Sequence, residues 1–374
     1  MEARATDLPD LRDLPREALR AHLRELGEPA YRGDQLFAWI WRRGARSFDE
    51  MTNLPAALRA RLAECARLSE PAVDRVDVSA DGTRKLLVRL EDERRVEAVL
   101  IPDGERLTLC ISSQVGCALA CAFCATGTMG LTRHMRPGEI VAQVLAAQEL
   151  VLGAEAGRRA DPAARPVTNI VMMGMGEPLH NYDGTLAALR ILTDPEAFGY
   201  APARITVSTV GLVPQMLALG EELPVRLAVS LHAGDPETRR AIMPVDRRYP
   251  MEEVLEACRR FPLRTRERIT FEYVLLAGVN DADDDARRLA QRLDGLRCKV
   301  NLLPFNEHEG APFRRPDEAR VAQFTETLRA LGVDAFVRTT RGRDIAAACG
   351  QLAVGPRRRA PADPEAASTV PERP

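Results

Sequence analysis

A chain of 374 residues that is 45% hydrophobic and 28% charged has an ordinary globular composition, which excludes wholesale disorder. Its net charge of −2 excludes a chain-wide basic field, although arginine can still grip phosphate locally through its bidentate guanidinium. Only Lys85 and Lys299 among 52 basic residues are lysine, and four of eight cysteines fall between Cys110 and Cys124, too few for a disulfide scaffold.

The N-terminus carries no apolar core like that of an export signal, and no run of ~18 apolar residues appears. The cytoplasm is therefore the expected compartment, with no membrane partner, and clustered thiols there suggest metal or redox chemistry. Residues 1–70 read as a helical accessory domain with a possible RNA contact. Pro15 opens a helix bearing Leu19, Leu23 and Leu26, and Gly27 stops it. A second helix aligns Leu36, Phe37, Ile40 and Trp41, and a third begins near Pro55. Arg42, Arg43 and Arg46 suit a solvated face better than a phosphate contact.

Residues 71–102 change period. TRKLLVRL and RRVEAVLI are β-rich runs joined by EDE, which predicts a hairpin and linker region. From Arg106 strands and helices alternate through residues 103–343. Strands are expected at 106–113, 169–174, 204–210, 225–231, 268–276 and 299–305. Helices are expected at 138–152, 182–192, 213–220, 251–261, 282–294 and 316–331. Six β/α units imply a parallel sheet with helices outside, as an open doubly wound sheet or a partial barrel. The short strand AFVRTT then precedes a C-terminal segment, 344–355, containing DIAAACGQL. The tail 356–374, rich in Pro, Ala and Arg, is expected to be disordered.

In β/α barrels the working groups lie on loops leaving the C-terminal ends of strands. The first such loop holds Cys117-x3-Cys121-x2-Cys124. Three thiolates at this spacing suit a [4Fe–4S] cluster with one iron left open. A zinc site drawing on Cys110 or His134 is the competing reading. The β/α context and Phe123 favour the cluster.

CALACAFC resembles the Cx3CxΦC signature, Φ being aromatic, of radical S-adenosylmethionine (SAM) enzymes, whose core is a partial (β/α)6 barrel. LCISSQVGCALACAFCATG, VMMGMGEPLHNYD, SLHAGD, VNLLPFN and TTRGRDIAAACGQL together resemble the RlmN/Cfr subgroup of RNA adenine methyltransferases. That resemblance spans roughly residues 83–352 and extends to the N-terminal helices. It implies an α/β chain: a partial (β/α)6 radical-SAM barrel preceded by a small helical domain and a β-hairpin region. It implies a [4Fe–4S] cluster on Cys117, Cys121 and Cys124, with SAM on the open iron, two SAM per turnover. Gly176 and Glu177 are implied at the methionine end of SAM, and Ser208, Ser230, Leu231, His232 and Asn306 around the rest.

The resemblance also assigns the chemistry. Cys349 accepts a methyl group from one SAM, and a radical from a second takes hydrogen from that methyl. The resulting carbon adds to adenine C2, Glu97 removes the ring proton, and Cys110 releases the product by forming a disulfide with Cys349. The substrates implied are the 23S rRNA adenine of the peptidyl-transferase centre and a tRNA anticodon-loop adenine. An electron-donor protein and a thiol reductant are implied as partners.

Apart from the family, Cys110 alternates with apolar residues as a buried cysteine would, and Cys349 follows three alanines. Glu97 and His232 on the same footing read as an ordinary strand carboxylate and a core histidine. Cys65, Cys258, Cys298 and Met172, Met173 and Met175 read as packing. Two alternatives to C2 methylation stay open: Cfr-type methylation at C8, and a non-catalytic RNA-binding protein stabilised by zinc or a cluster.

Overall fold

The computed structural model describes residues 8–153 and 165–353; the expected disordered tail lies outside them. The N-terminal unit holds α1 (Arg16–Glu25), α2 (Tyr31–Trp41) and α3 (Ala56–Cys65). Leu19, Leu23, Leu36, Phe37, Ile40, Trp41, Leu58 and Leu62 are all buried, as their spacing requires. Asp10 bridges to Arg67, closing the unit on itself.

Among the described residues one ten-stranded sheet follows. Its strands are β1 (Ala72–Val78), β2 (Arg84–Arg89), β3 (Arg95–Asp103), β4 (Arg106–Cys110), β7 (Asn169–Met172), β8 (Ile205–Thr209), β9 (Arg226–Ser230), β10 (Ile269–Leu275), β11 (Cys298–Pro304) and β12 (Ala335–Val337), in that spatial order. β1 to β4 pair antiparallel, and β4 through β12 are parallel. Sequential order leaves no reversal point, which excludes a doubly wound sheet and leaves a wall winding in one direction. The expected hairpin is therefore no linker: β3 lies against β4 as part of the same wall. β1 went unread because AVDRVDV lacks clean alternation.

The connecting helices are α4 (Ala125–Thr128), α5 (Pro137–Leu152), α6 (Tyr182–Thr193), α7 (Val213–Glu222), α8 (Pro236–Ile242), α9 (Met251–Arg260), α10 (Asp283–Leu293) and α11 (Glu318–Ala330). Alternation decides which side chains meet them. Ile269, Phe271, Tyr273 and Leu275 of β10 are buried on the helix side, where Tyr273 meets Phe324 of α11 at 5.4 Å. Thr270 and Glu272 then face inward, and cross-strand register carries that face around the wall. Glu97, Val99, Cys110, Val171, Ser208, Ala228, Ser230, Glu272, Asn301 and Lys299 share it, as do Lys85 and Phe336. A polar inner face in an otherwise apolar sheet marks a lumen built to hold something. Among the described residues no helix is long and apolar enough to cross a membrane.

Candidate active site

Beyond β4 the chain forms a second, two-stranded sheet, β5 (Gln114–Cys117) with β6 (Gly130–His134), which brackets the cysteine loop. Gly116 makes this hairpin possible. Its φ is +80°, and a Cβ there would stand 1.9 Å from the Gly130 carbonyl oxygen, where backbone cannot yield. Gly116→Ala is expected to cost roughly 1–2 kcal/mol for the left-handed backbone alone. Opening of the hairpin adds to this. The variant should lose iron on reconstitution, read as a fall in iron per chain and in the cluster's visible absorption.

The three thiols stand within electrostatic reach of one another. Burial, reinforced by its neighbours' charges, pushes Cys117 up to about 11 and Cys121 higher still. Backbone N–H groups of Leu119 and Glu177 point at the Cys117 sulfur. Among the described residues no three His, Cys, Asp or Glu converge as tightly as a single metal ion requires. The extra ligands a zinc site would need are otherwise engaged. Cys110 faces Cys349, and His134 Nδ1 lies 2.9 Å from Gln114 Nε2. Three separated thiols on one loop fit a cluster.

Gly176 and Glu177 follow β7. Gly176 has φ +96°, and a Cβ would lie 2.5–2.8 Å from Gln114, so only glycine brings this loop against the cysteine hairpin. The Glu177 carboxylate is buried, which raises it to about 7, and it accepts from the backbone of Leu179 and Val210, both at 3.0 Å. Those bonds tie two rim loops together and leave lone pairs on both carboxylate oxygens. Gln114 holds the same loop from the other side, its Oε1 accepting from Glu177 N at 2.7 Å.

Ser208 and Ser230 face the lumen from neighbouring strands, and Leu231 is buried with its N–H donating to the Glu272 carbonyl. His232 adopts φ +58°, accepts at Nδ1 from Val274 N at 2.9 Å and sets its ring edge-on to Phe123 at 4.7 Å. Burial lowers it to about 3, so it is neutral in the working range, with its remaining ring proton on Nε2. Asn306 donates to the Cys349 carbonyl at 3.2 Å, and its buried Oδ1 has no partner among the described residues. Such an orphaned acceptor suits a ligand that brings a donor.

The C-terminal segment closes the rim. Ala125 N donates to Gly350 O at 2.8 Å, Thr126 Oγ1 to Leu352 O at 2.5 Å and Ala353 N to Glu97 Oε2 at 3.1 Å. These contacts bring Cys349 beside the cysteine loop and opposite Cys110. Cys349 is open to solvent yet walled in by protein, and that enclosure raises its thiol, helped by Glu272 and opposed by Arg338. Cys110 is buried, its thiol pushed up first by burial and then by the charge of Cys349. The two thiols sense each other across the lumen.

Glu97 projects into that lumen from β3, 2% exposed, and pairs with Lys85 Nζ at 3.1 Å. Burial raises its carboxyl; Lys85 and the Ala353 amide oppose the rise. Sequence reasoning missed Lys85, Gln114, Glu272 and Asn301. Asn301 Nδ2 donates to Glu272 Oε1 at 2.9 Å inside the barrel. Strand parity could have found these two, since a charged residue within RITFEYVLL must occupy the inward phase.

The remaining readings concern packing. Met172 and Met175 are buried, and Met175 Sδ accepts from Glu97 N. Cys258 is buried and Cys65 and Cys298 half-buried, away from the lumen. Arg46 pairs with Glu70 and Glu149, Arg42 with Glu196, and Arg43 lies 4.4 Å over the Trp39 ring. A cavity of about 540 Å³ lined by Arg12, Arg46, Glu70 and Glu149 lies between the N-terminal unit and α5, distant from the thiols.

Residues 111–290 match the radical SAM superfamily, and residues 9–68 match the ribosomal RNA large subunit methyltransferase N-terminal domain. The dual-specificity RNA methyltransferase RlmN of Anaeromyxobacter dehalogenans is 50% identical over 97% of this chain and 98% of its own length. The RlmN of Geobacter sulfurreducens is 49% identical over 92% of this chain and 91% of its own. Among solved structures, a radical SAM methyltransferase from Sphaerobacter thermophilus superposes with a TM-score of 0.83 at 48% identity, covering 92% of this chain and 99% of that one. With both domains present and half its residues shared along nearly its whole length, the chain belongs to the RlmN family of radical SAM methyltransferases.

Proposed function

We propose that the chain methylates adenine C2 in RNA, in 23S rRNA at the peptidyl-transferase centre and in a tRNA anticodon loop, within the cytoplasm. The observation that carries this reading is the convergence of Cys349, Cys110 and Glu97 on one lumen beside the three-cysteine loop. Adenine C2 is electron-poor, so it is a weak nucleophile toward a methyl sulfonium, and a carbon carried on a thiol avoids asking it to be one. When bound, the [4Fe–4S] cluster on Cys117, Cys121 and Cys124 supplies the electron that makes SAM a hydrogen-abstracting reagent.

The protein's own groups do the rest. Gly176, Glu177, Ser208, Ser230, Leu231, His232 and Asn306 hold SAM. The Cys349 thiolate displaces the methyl group of one SAM, releasing S-adenosylhomocysteine, and the thioether carbon, once a hydrogen has been taken from it, bonds to the base. Glu97 takes the ring proton. Cys110 attacks the Cys349 sulfur, the S–S bond forming as the sulfur–carbon bond breaks, and the product leaves. An electron-donor protein and a thiol reductant restore the enzyme between turnovers.

The test is nucleoside mass spectrometry of rRNA and tRNA after reaction with the reconstituted protein. We expect 2-methyladenosine in both. 8-Methyladenosine without 2-methyladenosine would overturn the regiochemistry. Absence of 5′-deoxyadenosine with SAM and reductant would overturn the catalytic reading itself.

A further inference from the structure

All but two of the 52 basic residues in this chain are arginine, and both lysines, Lys85 and Lys299, lie on the inner face of the barrel. Each lies beside a buried carboxylate of that face, Lys85 by Glu97 and Lys299 by Glu272. Against that composition the two lysines stand out by position as well as by type. An ammonium is a compact point charge with three donors free to turn, whereas a guanidinium is a planar fork.

At Lys85 that distinction has a visible geometry. Its Nζ meets Glu97 Oε1 at 3.1 Å and the Ala346 carbonyl at 3.2 Å, with the lysine and glutamate side chains 8% and 3% exposed. Ala346 holds φ +51°, an uncommon conformation for a side-chain-bearing residue, three positions before Cys349. The other Glu97 oxygen accepts from Ala353 N, four positions after it. One buried ion pair thus grips the methyl-carrying segment on both flanks. Buried alone, a carboxylate would take up a proton and cease to be a base.

We infer that Lys85 is the positioning residue that keeps Glu97 ionised in the lumen and aimed at the substrate held by Cys349. This deepens the proposed function and rests on Glu97 being the proton acceptor. In the step concerned, the adenine C–H proton passes to the Glu97 carboxylate and its electron pair stays with the ring. Arg75 of β1 also acts on Glu97, more weakly, and is paired with Asp77. Lys85 is therefore the principal charge holding Glu97 down.

Burial already raises Glu97, so removing Lys85 raises it further, and the base is lost at neutral pH and recovered as pH rises. The experiment compares Lys85→Met, Lys85→Arg and Glu97→Gln in the reconstituted protein. RNA methylation is followed from pH 6 to 9, with covalent protein–RNA adduct on denaturing gels and protease sensitivity of residues 340–353 without RNA or cofactor. K85M is expected to have its profile moved up by one to two pH units, a loss of about 10–100-fold on the acid limb below both midpoints and a smaller one at pH 7. It should accumulate adduct and expose the 340–353 segment to protease. K85R, keeping the charge, should show the wild-type profile within a few-fold, which guards against reading a folding defect in K85M as loss of the base. E97Q should stay inactive at every pH.

A wild-type pH profile and adduct level in K85M, with E97Q inactive, would overturn the inference and leave Glu97 as the base. A profile in K85R shifted as far as that in K85M would overturn it too. Ordinary turnover by E97Q would overturn both the inference and the assignment beneath it.

Discussion

Cys349→Ala is expected to bind its cluster and cleave SAM to 5′-deoxyadenosine, yet to accept no methyl group and methylate no RNA. The substitution is structurally mild because the segment is held by its backbone. Asn306 bonds to the Cys349 carbonyl, Ala125 to the Gly350 carbonyl, and Ala353 to Glu97. None of these uses the Cys349 sulfur, and the side chain is open to the lumen, so no cavity is created. The chemical loss should be total. Cysteine is the one side chain here able both to accept a methyl and to present it as a thioether. Intact-protein mass after incubation with SAM reads the first failure, and nucleoside mass spectrometry the second. Methyl transfer to RNA by this variant, even a hundredfold slowed, would remove Cys349 from the pathway.

The second large effect is expected at Cys110. Cys110→Ala should load a methyl on Cys349 and attack the base, then stall as a covalent protein–RNA adduct. Cys110 is 6% exposed on β4 and faces the lumen opposite Cys349. Losing one sulfur from a buried site costs about 1 kcal/mol, which the fold tolerates. Its replacement removes only the group that can attack the Cys349 sulfur. A denaturing gel reads the adduct as a shifted band, and peptide mass spectrometry after ribonuclease treatment should place the nucleotide on Cys349. Burial and the nearby Cys349 charge hold the Cys110 thiol protonated at rest, which restrains premature disulfide formation. Normal turnover without adduct would exclude Cys110 from resolution.

These two outcomes also separate the family reading from a simpler one. A cluster that only stabilised an RNA-binding fold would leave both variants binding RNA as the wild type does, with no covalent species in either.

Much of the architecture was legible locally. Strands at 204–210 and 268–276 and helices at 138–152 and 282–294 fall within two residues of Ile205–Thr209, Ile269–Leu275, Pro137–Leu152 and Asp283–Leu293. Alternation and the 3.6-residue stripe are properties of neighbouring residues, so they survive without knowledge of the rest of the chain. β1 and the β5–β6 hairpin did not show, because their strands are short or mixed and their register depends on a partner. QVGC reads as a loop until Gly116 is seen against the Gly130 carbonyl.

The site divided in the same way. Cys117, Cys121 and Cys124 announce themselves by covalent spacing, since three thiols within eight residues are close in any compact fold. Cys110, Glu97 and Cys349 gave no local sign of belonging together, and only resemblance to a known family joined them. Lys85 meets Ala346 across 261 residues, and Ala353 meets Glu97 across 256. No periodicity spans such distances. The amino-acid order alone determined the residue types, the strand–helix alternation and the three-thiol loop, all set by interactions between near neighbours. The tertiary structure alone decided that the last segment returns to the barrel mouth, that the hairpin belongs to its wall, and that both lysines face the lumen. Those facts depend on cross-strand register and on burial of one sheet face, which exist only once distant parts of the chain have packed.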